Sequence, residues 1–394
     1  MQKADKKLIA LLIGLNLLNY IDRYLLSAVA PSLQRDLGFT DAELGLIGSA
    51  FLWGFILATP FVSKILKKFS PLTVMAFSVL LWSVATAATG FARLVLLMAL
   101  VRIFVGIGQA VFSTSSPAIL DSLSDKKWKS IAMSLFYAAI PIGAALGFII
   151  GGLMDVYIGW QMGFVIAGSA GIPLALILHF YPPPKKANQK SKTSVFQEYK
   201  KLIKLPVFNY IVMGNAAQSF ALAGFAFWVP TYLTRLLGFP AAEGSILFGE
   251  ILIITGLIGT LLGGFLAKRF QLNKKVNLIK LSAYSMILAT IAAFLVIMSA
   301  NVLIFFIMLA LVQLAVFITY TPTTLAMFSS IPSSLKNSAS SASMFTSRLL
   351  GDMLGVSLIG ILSVPLGGLA NSMYVLPFAL VLCTMFWFMA AKKS

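Results

Sequence analysis

A chain of 394 residues has the length of two or three soluble domains. Yet 59% of it is hydrophobic, only 11% is charged, and the mean hydropathy is +0.94, which excludes a water-soluble core and calls for a polytopic helical membrane protein. The net charge of +18 would suit nucleic acid or anionic lipid if it were clustered, but it is spread along the chain in the order of a membrane topology.

Twelve apolar spans are expected at about 8–30, 42–66, 71–90, 94–120, 129–153, 160–181, 207–235, 243–267, 277–299, 301–327, 338–362 and 368–390. Lysines precede the first run, as in a signal peptide. No small-residue cleavage site follows, so the run is read as a mature helix. With the N-terminus inside, the Lys and Arg residues of 3–7, 64–68, 126–129, 185–204, 268–280 and 392–393, with Lys336, fall on the cytoplasmic side. Only Arg35, Arg93 and Arg235 fall opposite. That asymmetry is the positive-inside pattern and puts both termini in the cytoplasm. No nucleic-acid partner is expected. The single Cys383 excludes a disulfide framework.

The first span carries the most informative stretch, LNLLNYIDRYLLSAVAP from Leu15 to Pro31. Asp22 and Arg23 stand near its middle, where an ionised side chain costs about 2.5–3.5 kcal/mol unless it faces protein or water. At about 100° per residue, Asn16, Asn19, Tyr20, Arg23 and Ser27 share one arc of roughly 100°. This stripe reads as a cavity lining, with Asp22 turned toward a neighbouring helix; the alternative is an ion pair that only fixes packing. In the fourth span Arg102, Gly106, Gln109, Ser113 and Ser116 share one face. Arg23 and Arg102, with Arg348 from the second half, would make an electropositive site suited to phosphate or carboxylate. Asp352 lies one turn from Arg348 and can simply pair with it. Glu250 stands alone in span eight as a titrating group, an arginine partner or an interfacial residue. His179 sits at a span end, where an interfacial role is expected.

The linker between spans six and seven opens with Pro182-Pro183-Pro184 and ends in an amphipathic surface element near 195–204. It divides the chain into a first bundle at 1–181, a linker at 182–206 and a second bundle at 207–394. The halves echo each other. Ser63-Lys64-Ile65-Leu66-Lys67-Lys68-Phe69 follows span two, and Gly264-Phe265-Leu266-Ala267-Lys268-Arg269-Phe270 follows span eight. A six-plus-six parallel repeat of this kind builds transporters with a site between the halves.

These residues resemble the major facilitator superfamily over the whole chain. Gly264–Arg269 is similar to its Gly-x-x-x-Asp-Arg loop signature, with Lys268 in place of the acid, and Ser63–Lys68 is a weaker copy. Arg102 to Ala110 resembles the span-four motif Arg-x-x-x-Gly-x-Gly-x-Ala. Within the superfamily the chain resembles the Spinster-like transporters. The matching stretches are Asn19-Tyr20-Ile21-Asp22-Arg23, Gly106–Pro117 with Gln109 where the pattern has glutamate, Ile140-Pro141 with Gly143, Gly147 and Gly151, Trp228-Val229-Pro230, and Leu349-Leu350-Gly351-Asp352. The resemblance implies an all-α major facilitator fold of twelve helices in two bundles. It also implies proton-linked, alternating-access carriage of lysophospholipids or other amphipathic anions.

On that basis Asn16, Asn19, Tyr20, Arg23, Ser27, Arg102, Gln109, Ser113 and Arg348 are the candidate substrate-binding residues. Asp22, Glu250 and Asp352 are the candidate proton-coupling residues, and Lys67, Lys68, Lys268 and Arg269 the candidate gating residues. The expected partners are the substrate, protons and membrane lipid, and the expected state is a monomer. No cofactor, metal or enzymatic site is expected: there is no P-loop and no metal-ligand cluster in the sequence. Two other readings remain open, an exporter of small soluble organic anions or drugs and a membrane receptor or scaffold without transport.

Overall fold

The computed structural model describes residues 3–123, 126–182, 195–271, 275–299 and 301–394. Of the expected linker, residues 183–194 lie outside that set. Among the described residues there is no strand, and twelve stretches are helical, long and apolar enough to cross a membrane. The first six are α1 (Lys3–Leu37), α2 (Asp41–Lys68), α3 (Pro71–Thr89), α4 (Val95–Leu123), α5 (Lys126–Tyr157) and α6 (Gly159–His179). The short α7 (Val195–Ile203) is the element expected near 195–204. Then come α8 (Pro206–Leu236), α9 (Ala241–Gln271), α10 (Lys275–Met298), α11 (Val302–Ile318) and α12 (Tyr320–Ser329). The chain continues through α13 (Lys336–Thr346), a π-helical segment Ser347–Met353, α14 (Leu354–Ser363), α15 (Leu369–Met373) and α16 (Val375–Lys393).

Local chemistry sets several boundaries. Gly38 has φ +69°, a conformation that stops α1 cheaply. Two residues on, Thr40 and Glu43 form a reciprocal capping box that starts α2, with Thr40 N donating to Glu43 Oε2 at 2.9 Å. Pro71 opens α3, and the Asn301 side chain caps α11. Pro31 lies inside α1 without ending it, so α1 runs past its apolar stretch.

Contacts divide the chain into two compact units, residues 1–189 with 233–250, and residues 190–232 with 251–394. In the first unit α1 packs on α5, α2 on α4, and α3 on α6 and α4. Glycines set the spacing. A Cβ at Gly143 would meet Tyr20 Cβ at 2.7 Å, one at Gly147 the Ile21 carbonyl at 2.8 Å, and one at Gly151 Ala28 Cβ at 2.7 Å. The glycine stripe of span five therefore seats α5 directly against the helix that carries Asp22.

The second unit repeats the arrangement. A Cβ at Gly351 would meet the Ala216 carbonyl at 2.6 Å, and Gly355 closes on Phe220, so the π segment and α14 pack on α8 as α5 packs on α1. Gly259 and Gly263 seat α9 on α11, and α10 packs on α16. Span ten is broken between α11 and α12 at Thr319, and span eleven is interrupted by the π segment. Such segments are rare, and they occur often where a helix carries function.

Candidate functional site

In the first unit, α1 brings Asp22 to a fully buried position at 0% exposure. The charge acting on it is Arg102 of α4, itself 1% exposed, and Arg23 acts on Arg102 as a like charge. Trp82 of α3 turns its indole N–H toward the carboxylate. Neither that nitrogen nor either Asp22 oxygen completes a hydrogen bond among the described residues, and the same holds for the Asn19 amide, Arg102 Nε and Nη1, and Gln109 Oε1. Each such orphan costs about 1–3 kcal/mol. A protein that keeps several of them together around a buried acid and a buried base holds a polar centre at the expense of stability.

Arg23 is held differently. Its guanidinium lies half-buried over three rings, 4.8 Å from the Tyr20 centroid, 4.6 Å from Phe51 and 5.9 Å from Phe55. Arg102 approaches the same Phe51 ring at 6.0 Å. One aromatic side chain of α2 thus serves two cations, each contact contributing about 0.5–2 kcal/mol.

The rest of the α1 stripe is used in packing. Asn16 Nδ2 donates to the Phe136 carbonyl of α5 at 2.7 Å, Gln109 Nε2 donates to the Asn19 carbonyl at 3.3 Å, and Tyr20 lies under Gly143. Ser27 is buried and Ser113 half-buried, while Ser116 bonds back to its own helix at Phe112 O. Helical phase placed these residues on one face; the glycine stripe of α5 packs mainly on the adjacent face of α1, at Leu17, Ile21, Tyr24 and Leu25, and meets the polar stripe at Tyr20.

In the second unit, Arg348 pairs with Asp352 one turn on, both about one-fifth exposed and both on the π segment. The other polar side chains here are neutral. Gln218 Nε2 donates to Thr319 Oγ1 at 2.9 Å and to Val316 O at 3.1 Å. Thr255 Oγ1 donates to Gln313 Oε1 at 2.9 Å, and Trp228 Nε1 to Val356 O at 2.9 Å. Glu250 stands apart from Asp22. It is exposed on α9 and lines a groove of about 340 Å³ with Leu153, Val156 and Tyr157 of α5.

The Major Facilitator Superfamily model matches residues 12–356. The chain belongs to that superfamily. Among its relatives is a probable sphingolipid transporter, spinster homolog 1 of Arabidopsis thaliana, 24% identical over 97% of this chain and 87% of the relative. The sphingosine-1-phosphate transporter SPNS2 of Danio rerio is 27% identical over 95% and 82%. A crystal structure of a bacterial homologue of the human lysosomal transporter Spinster superposes with a TM-score of 0.90 at 20% identity, covering 100% of this chain and 98% of that one.

As a major facilitator protein, the chain places its loop signatures at the ends of α2 and α9. Lys68, Lys268 and Arg269 are exposed there; the side chain of Lys67 lies outside the described residues. His179 is exposed at the end of α6, edge-on to Phe77 and Phe180. Sequence reasoning did not pick out Trp82 or the Phe51–Phe55 platform. The pattern Trp82, Ser83, Thr86 within an apolar α3 was the available signal for the first. The second, two aromatics one turn apart, looks like any lipid-facing pair.

Proposed function

We propose that this major facilitator protein is a proton-linked secondary transporter of an amphipathic anion, a lysophospholipid or a sphingolipid phosphate, working by alternating access. The observation that carries the reading is Asp22 buried with Arg102 as the charge acting on it, and Arg23 half-buried on the aromatic platform whose Phe51 ring it shares with Arg102. Arg23 meets the headgroup first, its planar donor fork matching a phosphate. When Asp22 takes a proton it stops neutralising Arg102, whose charge then becomes available to the anion. Proton uptake and anion binding therefore favour each other, by the reciprocity that any linkage obeys. The relatives' names, which specify sphingolipid and sphingosine-1-phosphate transport, support the lipid class.

The test is flux in proteoliposomes under an imposed pH gradient. The parent is expected to accumulate the anionic lysolipid against its gradient, and Asp22→Asn only to equilibrate it. Arg23→Ala is expected to weaken anionic substrates about tenfold or more, the worth of a charge-assisted contact, while sparing zwitterionic ones. Accumulation by Asp22→Asn, or equal losses across headgroups, overturns the assignment. Binding without flux would instead support a receptor, and transport of tail-free anions a soluble-anion exporter.

The same reading places the protein as a monomer in a bacterial inner membrane with both termini cytoplasmic. In a Cys383-free background, an impermeant thiol reagent added outside should label a cysteine at position 35 and spare one at position 190. The reverse pattern inverts the topology.

A further inference from the structure

Glu250 is a carboxylate in an unexpected place. On α9 it continues a stripe that runs from Glu243 through Leu247 to Ile254, Leu257 and Leu261. The last three are 57%, 44% and 74% exposed, which marks the bilayer-facing side of the helix. At 1.5 Å per residue Glu250 lies about 13 Å from the start of α9 and about 10 Å beyond Glu243. That depth is at or just below the headgroup layer. A carboxylate facing lipid there is costly, and a residue kept in such a place marks a binding partner by default.

The surroundings describe that partner. Glu243 and Glu250 face one groove of about 340 Å³ whose other walls are apolar: Leu153, Val156, Ala242 and Ile246, with Tyr157 at the rim. Val156 and Tyr157 are 64% and 79% exposed, so the groove opens sideways from the helix faces. No Lys or Arg lines it, and no ion pair with either glutamate occurs among the described residues. An apolar trough with two acids spaced along the membrane normal, and no cation of the protein's own, complements an amphiphile with a positive head.

We propose that this groove between α5 and α9 binds a bilayer phospholipid by its primary ammonium headgroup, with Glu250 and Glu243 as acceptors and the apolar walls holding the first part of the acyl chain. A primary ammonium has three N–H donors to share between two carboxylates. A quaternary ammonium has none, so the site distinguishes phosphatidylethanolamine from phosphatidylcholine.

The experiment is lipid retention by the purified full-length protein, read by native mass spectrometry after exchange into mixed micelles of phosphatidylethanolamine, phosphatidylcholine and phosphatidylglycerol. The parent should retain phosphatidylethanolamine over phosphatidylcholine by about tenfold, the worth of one charge-assisted hydrogen bond. Glu250→Gln should reduce that ratio to near one and Glu243→Gln should lower it, both with unchanged thermal unfolding because the side chains are exposed. Ile246→Trp, which fills the groove, should lower retention of all three lipids. Equal retention of the two headgroups by the parent overturns the proposal, as does an unchanged ratio in both glutamine variants. Displacement of the lipid by ethanolamine alone at comparable concentration would assign the site to a soluble amine and also overturn it.

Discussion

The two six-helix repeats use the same packing plan for opposite ends. In each, a glycine-bearing helix closes on the first helix of its repeat, α5 on α1 through Gly143 and Gly147, and the span containing Gly351 and Gly355 on α8. The first repeat fills the resulting interior with Asp22, Arg102, Asn19 and Gln109, several of whose polar atoms have no hydrogen-bond partner among the described residues. The second fills it with Gln218, Thr319, Thr255 and Gln313, which bond to one another or to backbone, and confines its charges to a self-paired Arg348 and Asp352. The second network is more nearly satisfied, with Gln313 Nε2 the one orphan among those four side chains. Such a neutral network rigidifies a bundle, whereas an under-satisfied charged one keeps polar capacity for a proton or an anion. On the proposed function, similar packing with unequal satisfaction separates the scaffold from the working centre.

The comparison is broken most directly at Arg102. Arg102→Met leaves Asp22 buried without its counter-charge, and removing one member of a buried pair costs about 3–5 kcal/mol. Chemical unfolding in detergent should show that loss, and Asp22→Asn in the same chain should recover part of it. A loss no larger than that from an exposed lysine substitution would mean the centre is hydrated enough not to matter. A second pair of variants sharpens the comparison from the other side. Gly147→Ala and Gly351→Ala each force a methyl against backbone and should each cost about 1–3 kcal/mol. Because the packing is common to both repeats, the two losses should be similar. Transport at equal folded amount should fall more for Gly147→Ala, since Gly147 abuts Ile21 beside Asp22. Equal transport losses would remove the functional asymmetry.

Much of the fold was legible in the hydropathy. Each of the twelve expected spans meets a helix, because a long apolar run has no stable alternative in a bilayer. The misfit lies at the ends and breaks. α1 extends from Lys3 to Leu37, beyond the expected 8–30, because Ser32 and Gln34 continue the helix on polar contacts to Asp155 and Asp41. The π segment at Ser347–Met353 has no apolar signature and was not foreseen. Of the site, helical phase separated Asp22 from the Arg23 stripe, but phase fixes a direction only about the helix's own axis. Which neighbour stands there depends on how α5 docks, and that docking turned Asn16 and Tyr20 into packing groups and left Arg23 on the Phe51 ring. Trp82 and Phe51 come from other helices, so no reading of α1 alone could name them.

The smallest effect, and the most specific, is expected at Gln109, which stands where the Spinster-like pattern has glutamate. Gln109 Nε2 donates to the Asn19 carbonyl at 3.3 Å. A glutamate here can make that bond only while it carries a proton; once ionised, it sets a carboxylate oxygen against a carbonyl oxygen. Folded Gln109→Glu should therefore hold a proton that the unfolded chain gives up at an ordinary carboxylate pH. Where the folded state binds more protons than the unfolded one, stability falls as pH rises. The variant should match the parent at low pH and lose stability progressively above about pH 4.3, the ordinary glutamate value, levelling off once the folded protein also ionises. In proteoliposomes it should move more protons per substrate than the parent, read as a shift in the pH gradient that just balances a fixed substrate gradient. An unfolding profile parallel to the parent's at every pH, with an unchanged balance point, would mean that position 109 is solvated and that Asp22 works without a second acid beside it.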